Sequence, residues 1–331
     1  MHLTHKLADD VIQISLSKPA GLAQPAGRSN NVYLLLGEAC ALINAGHPSQ
    51  FQSLLAAIRE AGITPAHIER VIYTSWDVDM LAGASNFLQA DHFVFSADMV
   101  EPTSLEKHVD AQREAFRATA RQLRDHIITA DGADLGSVEA FIAAYYPPVT
   151  EQFKGIPLRG GHFVRAGNLE LEVLATPGPT AGHACLYSAD RKWLFSGNFS
   201  MAGLPEEIVE VQAYLIGLER LMKLSVERLL PAFGQAYERG NWTLGRALRF
   251  MNHFLSSAPS ALVQGPTVLE FIERDLGYRP DDLVELVFAF RKYRALFDEL
   301  VRTHNIEARG IELARRYGTD IDDPRASIRR R

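Results

Sequence analysis

"YTSWDVDMLAG", residues 73–83, follows directly on the apolar run "IERVI" and decides how the chain is to be read. The run before it has the length and β-branched content of a buried strand. Asp77 and Asp79 then stand two apart in a turn, and Leu81, Ala82 and Gly83 open the next element. Two carboxylates at that spacing suit a hard cation such as Mg²⁺ or Ca²⁺. They also suit a general acid–base pair in which one pKa is raised. The plainest role is a brace for the following helix start, which favours negative charge. Ser75 is a nucleophile only on paper, because no His adjoins it in the motif and the chain has no G-x-S-x-G elbow.

Outward from this stretch, the chain reads as three parts. From Val11 to about Ala97, strands and helices alternate. "VIQISL" is strand-like, and "NNVYLLLG" and "ACALINAG" are two apolar runs across a Gly-Glu turn, which reads as a hairpin. Phe51, Leu54, Leu55 and Ile58 fall at helical spacing, and Gly62 stops that helix. "HFVFSA" is a further strand. From about 101 to 160, Leu105, Val109, Phe116, Leu123 and Ile127 mark one helical stripe. "SVEAFIAAYYPP" adds a shorter helix ended by Pro147 and Pro148. This middle part reads as a helical insertion. Strands return with "LELEVLATPG", "HACLYSAD" and "KWLFSGNF". After "VERLLPAFG" three helices, beginning near Gly245, Thr267 and Asp281, are expected to carry the chain to its end. The expected boundary between the first domain and this tail lies at 237/238.

Composition narrows the function. The 331 residues are 47% hydrophobic and 22% charged, an ordinary globular balance with length for a large core. The formal net charge of −6 does not suit a nucleic-acid binder, and the basic cluster Arg325–Arg331 reads as a solvated end. Cys40 and Cys185 sit in apolar runs and read as buried thiols rather than a disulfide. No apolar h-region opens the chain and no run reaches a membrane-spanning length, so a cytoplasmic protein without a membrane partner is expected.

Five landmarks, in order and at matching spacing over about residues 10–235, resemble the metallo-β-lactamase superfamily. The family's Asp-x-Gly hairpin end corresponds to "INAG", with Asn44 in place of the Asp. Its Thr-His-x-His-x-Asp-His turn corresponds to Thr74-Ser75-Trp76-Asp77-Val78-Asp79-Met80. Its "TPGHT", "LFSGD" and "LPGHG" correspond to Thr176–Thr180, Leu194–Asn198 and Leu230–Gly234. The insertion and helical tail are most similar to the branch of glyoxalase II and β-lactamase-like protein 2. The resemblance implies an α/β fold, an αββα sandwich with a helical insertion and a C-terminal helical, winged-helix-like tail.

The resemblance also implies a two-zinc site that activates water, and here the ligands are missing. The seven family positions hold Ser75, Asp77, Asp79, Met80, Pro179, Asn198 and Phe233. Only Asp79 matches, and one carboxylate cannot satisfy two ions that each need about four ligands. Apolar Met80, Pro179 and Phe233 read as filler for the vacated volume. No metal and no other cofactor is therefore expected.

Three function classes follow. One is a metal-free pseudoenzyme binding a small molecule or protein partner through a cleft formed by Asn44, Ser75, Trp76, Met80, Pro179, Asn198, Phe199 and Phe233. Trp76, Phe199, Phe233 and Tyr237 either line its mouth or serve as filler. The second is a hydrolase, such as a thioesterase, rebuilt on Asp77, Asp79 and His183, although His183 also reads as a hydrogen-bonded support. The third is a nucleic-acid module using the aromatic and basic run at Phe288–Phe297. That run also reads as helix packing against the body of the fold or against a homodimer partner. The first class is the one favoured.

Overall fold

The structure, a computed structural model, describes residues 2–17, 29–95, 105–124, 134–146, 155–199, 208–261, 266–278, 280, 282–303, 307–309 and 316–318. Strands β1 (His2–Ala8), β2 (Val11–Ser17), β3 (Ser29–Leu35), β4 (Ala41–Ile43), β5 (Arg70–Ile72), β6 (Asp91–Phe95) and β7 (Gly155–Leu158) form one sheet in that order. The expected hairpin is β3–β4, with Tyr33 opposite Ile43. Pairing is antiparallel up to β4 and parallel from β4 to β7. A second sheet runs β8 (Phe163–Ala166), β9 (Leu169–Ala175), β10 (Ala184–Ser188), β11 (Trp193–Gly197) and β12 (Arg228–Pro231), antiparallel except for β11–β12.

The period-2 alternation of the strands builds the layers. Tyr33, Leu35, Ile43 and Ile72 point from the first sheet into a buried cluster shared with Leu171, Val173, Leu186 and Phe195 of the second. Their neighbours Val32, Leu34, Leu42 and Val71 point the other way, into a second core that includes Leu54 and Ile58 of helix α1 (Phe51–Glu60). Each such fully buried aliphatic side chain contributes about 1.5–3 kcal/mol. The two sheets thus face each other with helices outside, the expected αββα arrangement. Helix α1 stops where expected, at Gly62, whose φ of +82° suits a residue without a Cβ.

The insertion holds α3 (Leu105–Leu123) and α4 (Leu135–Tyr145). Val109, Phe116 and Leu123 of the expected stripe are buried, while Ile127, Pro147 and Pro148 lie outside the described residues. Strand β7 corrects the extent of the insertion: it falls within 101–160 yet belongs to the first sheet. It is an edge strand carrying Pro157, where a missing ladder donor is tolerated.

Helix α5 (Val211–Leu221) precedes β12, and α6 (Gly240–Ala261), α7 (Val268–Leu276) and α8 (Leu283–Thr303) follow it. The tail is not helical to its end. Strands β13 (Glu307–Arg309) and β14 (Arg316–Gly318) form an antiparallel pair after α8; Arg325–Arg331 lie outside the described residues. The aromatic run of α8 is spent on packing. Phe290, Tyr293 and Phe297 are buried, and Phe288 meets Phe116 of α3 and Phe141 of α4 at ring separations of 5.4 and 5.8 Å. Among the described residues no helix is long and apolar enough to cross a membrane.

Candidate functional site

The turn after β5 is tied to both sheets. Asn44, at the end of β4, adopts a φ of +64°, a left-handed conformation that Asn tolerates better than most residues. Its side-chain oxygen accepts from the Thr74 backbone N–H at 3.0 Å and from the Thr74 hydroxyl at 3.1 Å. The Thr74 carbonyl accepts from Ala184 of the second sheet at 2.8 Å. Short helix α2 (Val78–Leu81) then packs against the hairpin end: Ala45 N–H donates to the Met80 carbonyl and Gly83 N–H to the Gly46 carbonyl. Gly83 permits this approach, since a Cβ there would lie 2.3 Å from the Ala45 oxygen.

The two carboxylates of the turn are held by different parts of the chain. Asp77, partly buried at the start of α2, accepts from the Asn198 amide at 2.6 Å. Asn198 stands where the resemblance puts a bridging Asp. With a dication between them two acids coexist; facing each other directly they repel, and an amide donor removes that cost. Asp79 is buried and accepts from the Tyr145 hydroxyl at 2.8 Å. Tyr145 closes α4, so the insertion delivers a phenol to the one family ligand that remains. His47, just after the hairpin end, secures Tyr145 from behind. One ring nitrogen of His47 donates to the Tyr145 carbonyl at 2.9 Å, and its ring stacks on the phenol ring at 5.8 Å. Burial first, then the charges of Asp79 and Asp77, hold the Tyr145 phenol well above its ordinary pKa, so it remains a donor.

His183 is wholly buried. Its Nδ1 lies 3.1 Å from the Thr176 carbonyl, to which it donates, and its Nε2 accepts the Asn198 backbone N–H at 3.0 Å. Both ring nitrogens are committed to the backbone, and burial pushes the pKa down to about 3. A neutral ring locked in one tautomer braces the β9–β10 loop against the end of β11. Gly197, at a φ of +54°, makes room for it, because a Cβ there would lie 2.4 Å from His183 Nε2.

The other expected site residues do not form one open cleft. Ser75, Trp76, Met80 and Phe199 are buried, as is Pro179. The Ser75 hydroxyl accepts from Asp77 N–H at 3.4 Å. The Trp76 indole lies edge-on to His108 of α3 at 5.5 Å. Phe199 stacks on Tyr214 of α5 at 4.4 Å. Phe233 is half-buried in a bridge with Asn30, and Tyr237 forms a bridge with Leu229. Cys185 is a buried thiol raised to about 12, and Cys40 is a half-buried one; neither forms a disulfide. The residues that the sequence did not point to are Tyr145, His47 and His108. Only His47, next to "INAG", had a local signal.

The residues present do not fit the two-zinc site that the resemblance implies. No histidine stands at the seven positions, and both carboxylates there are engaged by neutral protein donors. Among the described residues, no three His, Cys, Asp or Glu side chains are grouped to hold one ion.

An open cleft lies alongside. It has a volume of about 690 Å³, between α3, the segment Ile208–Gln212 and α8. Arg291, Arg294 and Arg302 line it together with Glu210, Asp298 and Glu299. Val209 and Glu210 on its wall donate backbone hydrogen bonds to the Gly178 carbonyl, so the cleft adjoins the loop that bears Pro179.

A family model described as the metallo-beta-lactamase superfamily matches residues 25–232. A Caenorhabditis elegans protein described as a beta-lactamase-like protein 2 homolog is 22% identical over 243 residues, covering 72% of this chain and 67% of that one. Among solved structures, a metallo-beta-lactamase family protein from Thermus thermophilus superposes with a TM-score of 0.73 at 20% identity, over 94% of this chain and 99% of that one. A beta-lactamase domain protein from Burkholderia ambifaria gives a TM-score of 0.71 at 15% identity, over 95% and 94%. At these identities the structural likeness speaks for the fold.

Proposed function

This chain belongs to the metallo-β-lactamase superfamily, and we propose that within it the protein is a metal-free pseudoenzyme that binds a small molecule or a protein partner beside the old metal site. The observation that carries this reading is the hydrogen bond from Tyr145 to Asp79. A buried carboxylate needs a strong partner, and a metal or a donor can fill that role. Here a donor delivered by the insertion fills it, and Asn198 does the same for Asp77. The cleft of about 690 Å³ against the Pro179 loop, lined by both charged and apolar side chains, is the binding surface in this reading. A cytoplasmic setting fits its two free thiols. A hydrolase rebuilt on Asp77, Asp79 and His183 has less support, because His183 offers no nitrogen to a substrate.

The test is elemental analysis of protein purified without an affinity metal, which should find well under one zinc per chain. Excess Zn²⁺ should leave the melting temperature where it was, since a ligand stabilises only a state that binds it. A rise of many degrees overturns the reading. So does hydrolysis of a lactam, an acyl-homoserine lactone or a thioester that chelation abolishes.

A further inference from the structure

We propose that the outer face of α6 is an anchor for an anionic lipid surface. From Arg239 to Leu269 the chain has three arginines and a histidine and not one Asp or Glu, although its net charge is −6. Trp242, Arg246, Arg249 and Phe250 recur along α6 at helical spacing and are all exposed. Trp242 is 49% exposed and Phe250 40%. Met222, 36% exposed, extends the apolar part, because it and Arg249 both lie within 3.3 Å of a Cβ built at Gly245. Two large aromatic side chains, Trp242 and Phe250, are thus left open to solvent on one helix among basic residues.

The chemistry of the face selects the occupant. The Arg239 and Arg246 guanidiniums lie over the Trp242 ring at 5.3 and 5.2 Å. With guanidiniums over its ring, the indole is a poor stacking platform for a nucleobase. Its amphipathic edge is suited to the headgroup level of a bilayer, where tryptophans concentrate. Guanidiniums beside it match lipid phosphates. The face is a convex helix surface, not a groove, as an interfacial helix requires. The net negative charge of the chain repels the rest of the molecule from the same surface, which fixes orientation and makes binding sensitive to salt. This proposal departs from the expectation that the protein has no membrane partner. It does not depend on the metal-free reading.

The experiment is co-sedimentation of the full chain with vesicles of phosphatidylglycerol and phosphatidylcholine, against phosphatidylcholine alone. Binding should require the anionic lipid, fall with added salt, and blue-shift tryptophan emission. Trp242→Phe should remove the shift, because Trp76 is buried and Trp193 is packed under Arg191 and Arg228. Arg246→Glu with Arg249→Glu should lower partitioning at least about tenfold. Both positions are exposed, and an unchanged melting temperature will show that the variant is folded. Four results overturn the proposal. These are no partitioning onto anionic vesicles, equal binding to phosphatidylcholine alone, binding that survives the charge reversal, and a single-stranded oligonucleotide bound through the same arginines while vesicles are ignored. A dimer that Trp242→Ala dissociates, without vesicle binding, assigns the face to a second copy and overturns it as well.

Discussion

Tyr145→Phe isolates the hydrogen bond that the insertion makes to the buried carboxylate of Asp79. The substitution removes one hydroxyl and leaves the ring. The remaining phenyl ring would keep the stack on Phe141, now at 5.1 Å, and the edge contact with Phe288 at 6.4 Å. The backbone bond from His47 is also untouched. What is lost is a 2.8 Å hydrogen bond to a carboxylate that is 3% exposed. Hydrogen bonds to charged groups are worth about 1.5–3 kcal/mol, and the burial of Asp79 places the loss in that range and not below it. Urea unfolding should show the unfolding free energy lowered by that amount, through a lower midpoint at unchanged slope. Asp79→Ala completes a double-mutant cycle, and the coupling energy should recover most of the single-mutant loss. Tyr145→Ala should cost more, because a cavity worth about 3–5 kcal/mol is added. A Tyr145→Phe loss within about 0.5 kcal/mol, as for ordinary surface substitutions, would refute the proposal that the phenol takes the place of a metal at Asp79. A large loss without coupling to Asp79 would refute it too.

Three further outcomes follow from the same geometry. Asn198→Asp would set a second carboxylate where an amide now lies 2.6 Å from Asp77; it should cost about 1.5–3 kcal/mol at neutral pH and less near pH 4, as the pair takes up a proton. An equal cost at both pH values would contradict the charge argument. On the acid side, His183 takes a proton near 6.5 when unfolded but only near about 3 when folded, so stability is lost as pH falls between those values, by up to about 5 kcal/mol from this group. Burial lowers His92 and His108 in the same direction, and a melting temperature flat from neutral pH down to about pH 4 would contradict the assignment. On the alkaline side, Tyr33, Tyr73 and Tyr145 are raised well above 10.0 by burial; they ionise more readily unfolded, so stability should fall as pH climbs past 10.0, with tyrosinate absorbance from these residues appearing only on unfolding.

The fold was legible because its landmarks are local. "INAG", the turn at Thr74–Gly83 and "LFSGN" each pair a strand end with a tight backbone requirement, and Asn44, Gly83 and Gly197 meet those requirements in the structure. Helix α5 carries a legible pattern too, although it is absent from the expected elements: Val211, Tyr214, Leu215, Leu218 and Leu221 form a buried stripe at helical spacing. Strands β1 and β7 left no such trace. Both are sheet edges with largely exposed residues, so neither alternation nor an apolar run marks them. The site was half legible. The residues at the family's ligand positions could be read one by one, but Tyr145 lies 66 residues from Asp79 in an inserted helix. No periodicity within α4 distinguishes a tyrosine that fills a core from one that reaches a carboxylate.

That difference bears on how the proposed metal-free site is held together. Met80, Pro179 and Phe233 read as apolar filler; the first two are buried and Phe233 is half-buried. Filling cannot serve Asp77 and Asp79, because a carboxylate taken out of water needs donors, and a hydrophobic neighbour supplies none. The chain meets this in two ways. At Asp77 the donor is the amide of Asn198, at the position where the resemblance places an acid. At Asp79 the donor comes from outside those positions, on helix α4. The second solution makes the insertion part of the site: α4 is held by His47 through its backbone and by Asp79 through its hydroxyl. A deletion of the insertion should therefore do more than remove a surface helix. It removes the phenol from Asp79, and the turn at 73–83 should loosen with it.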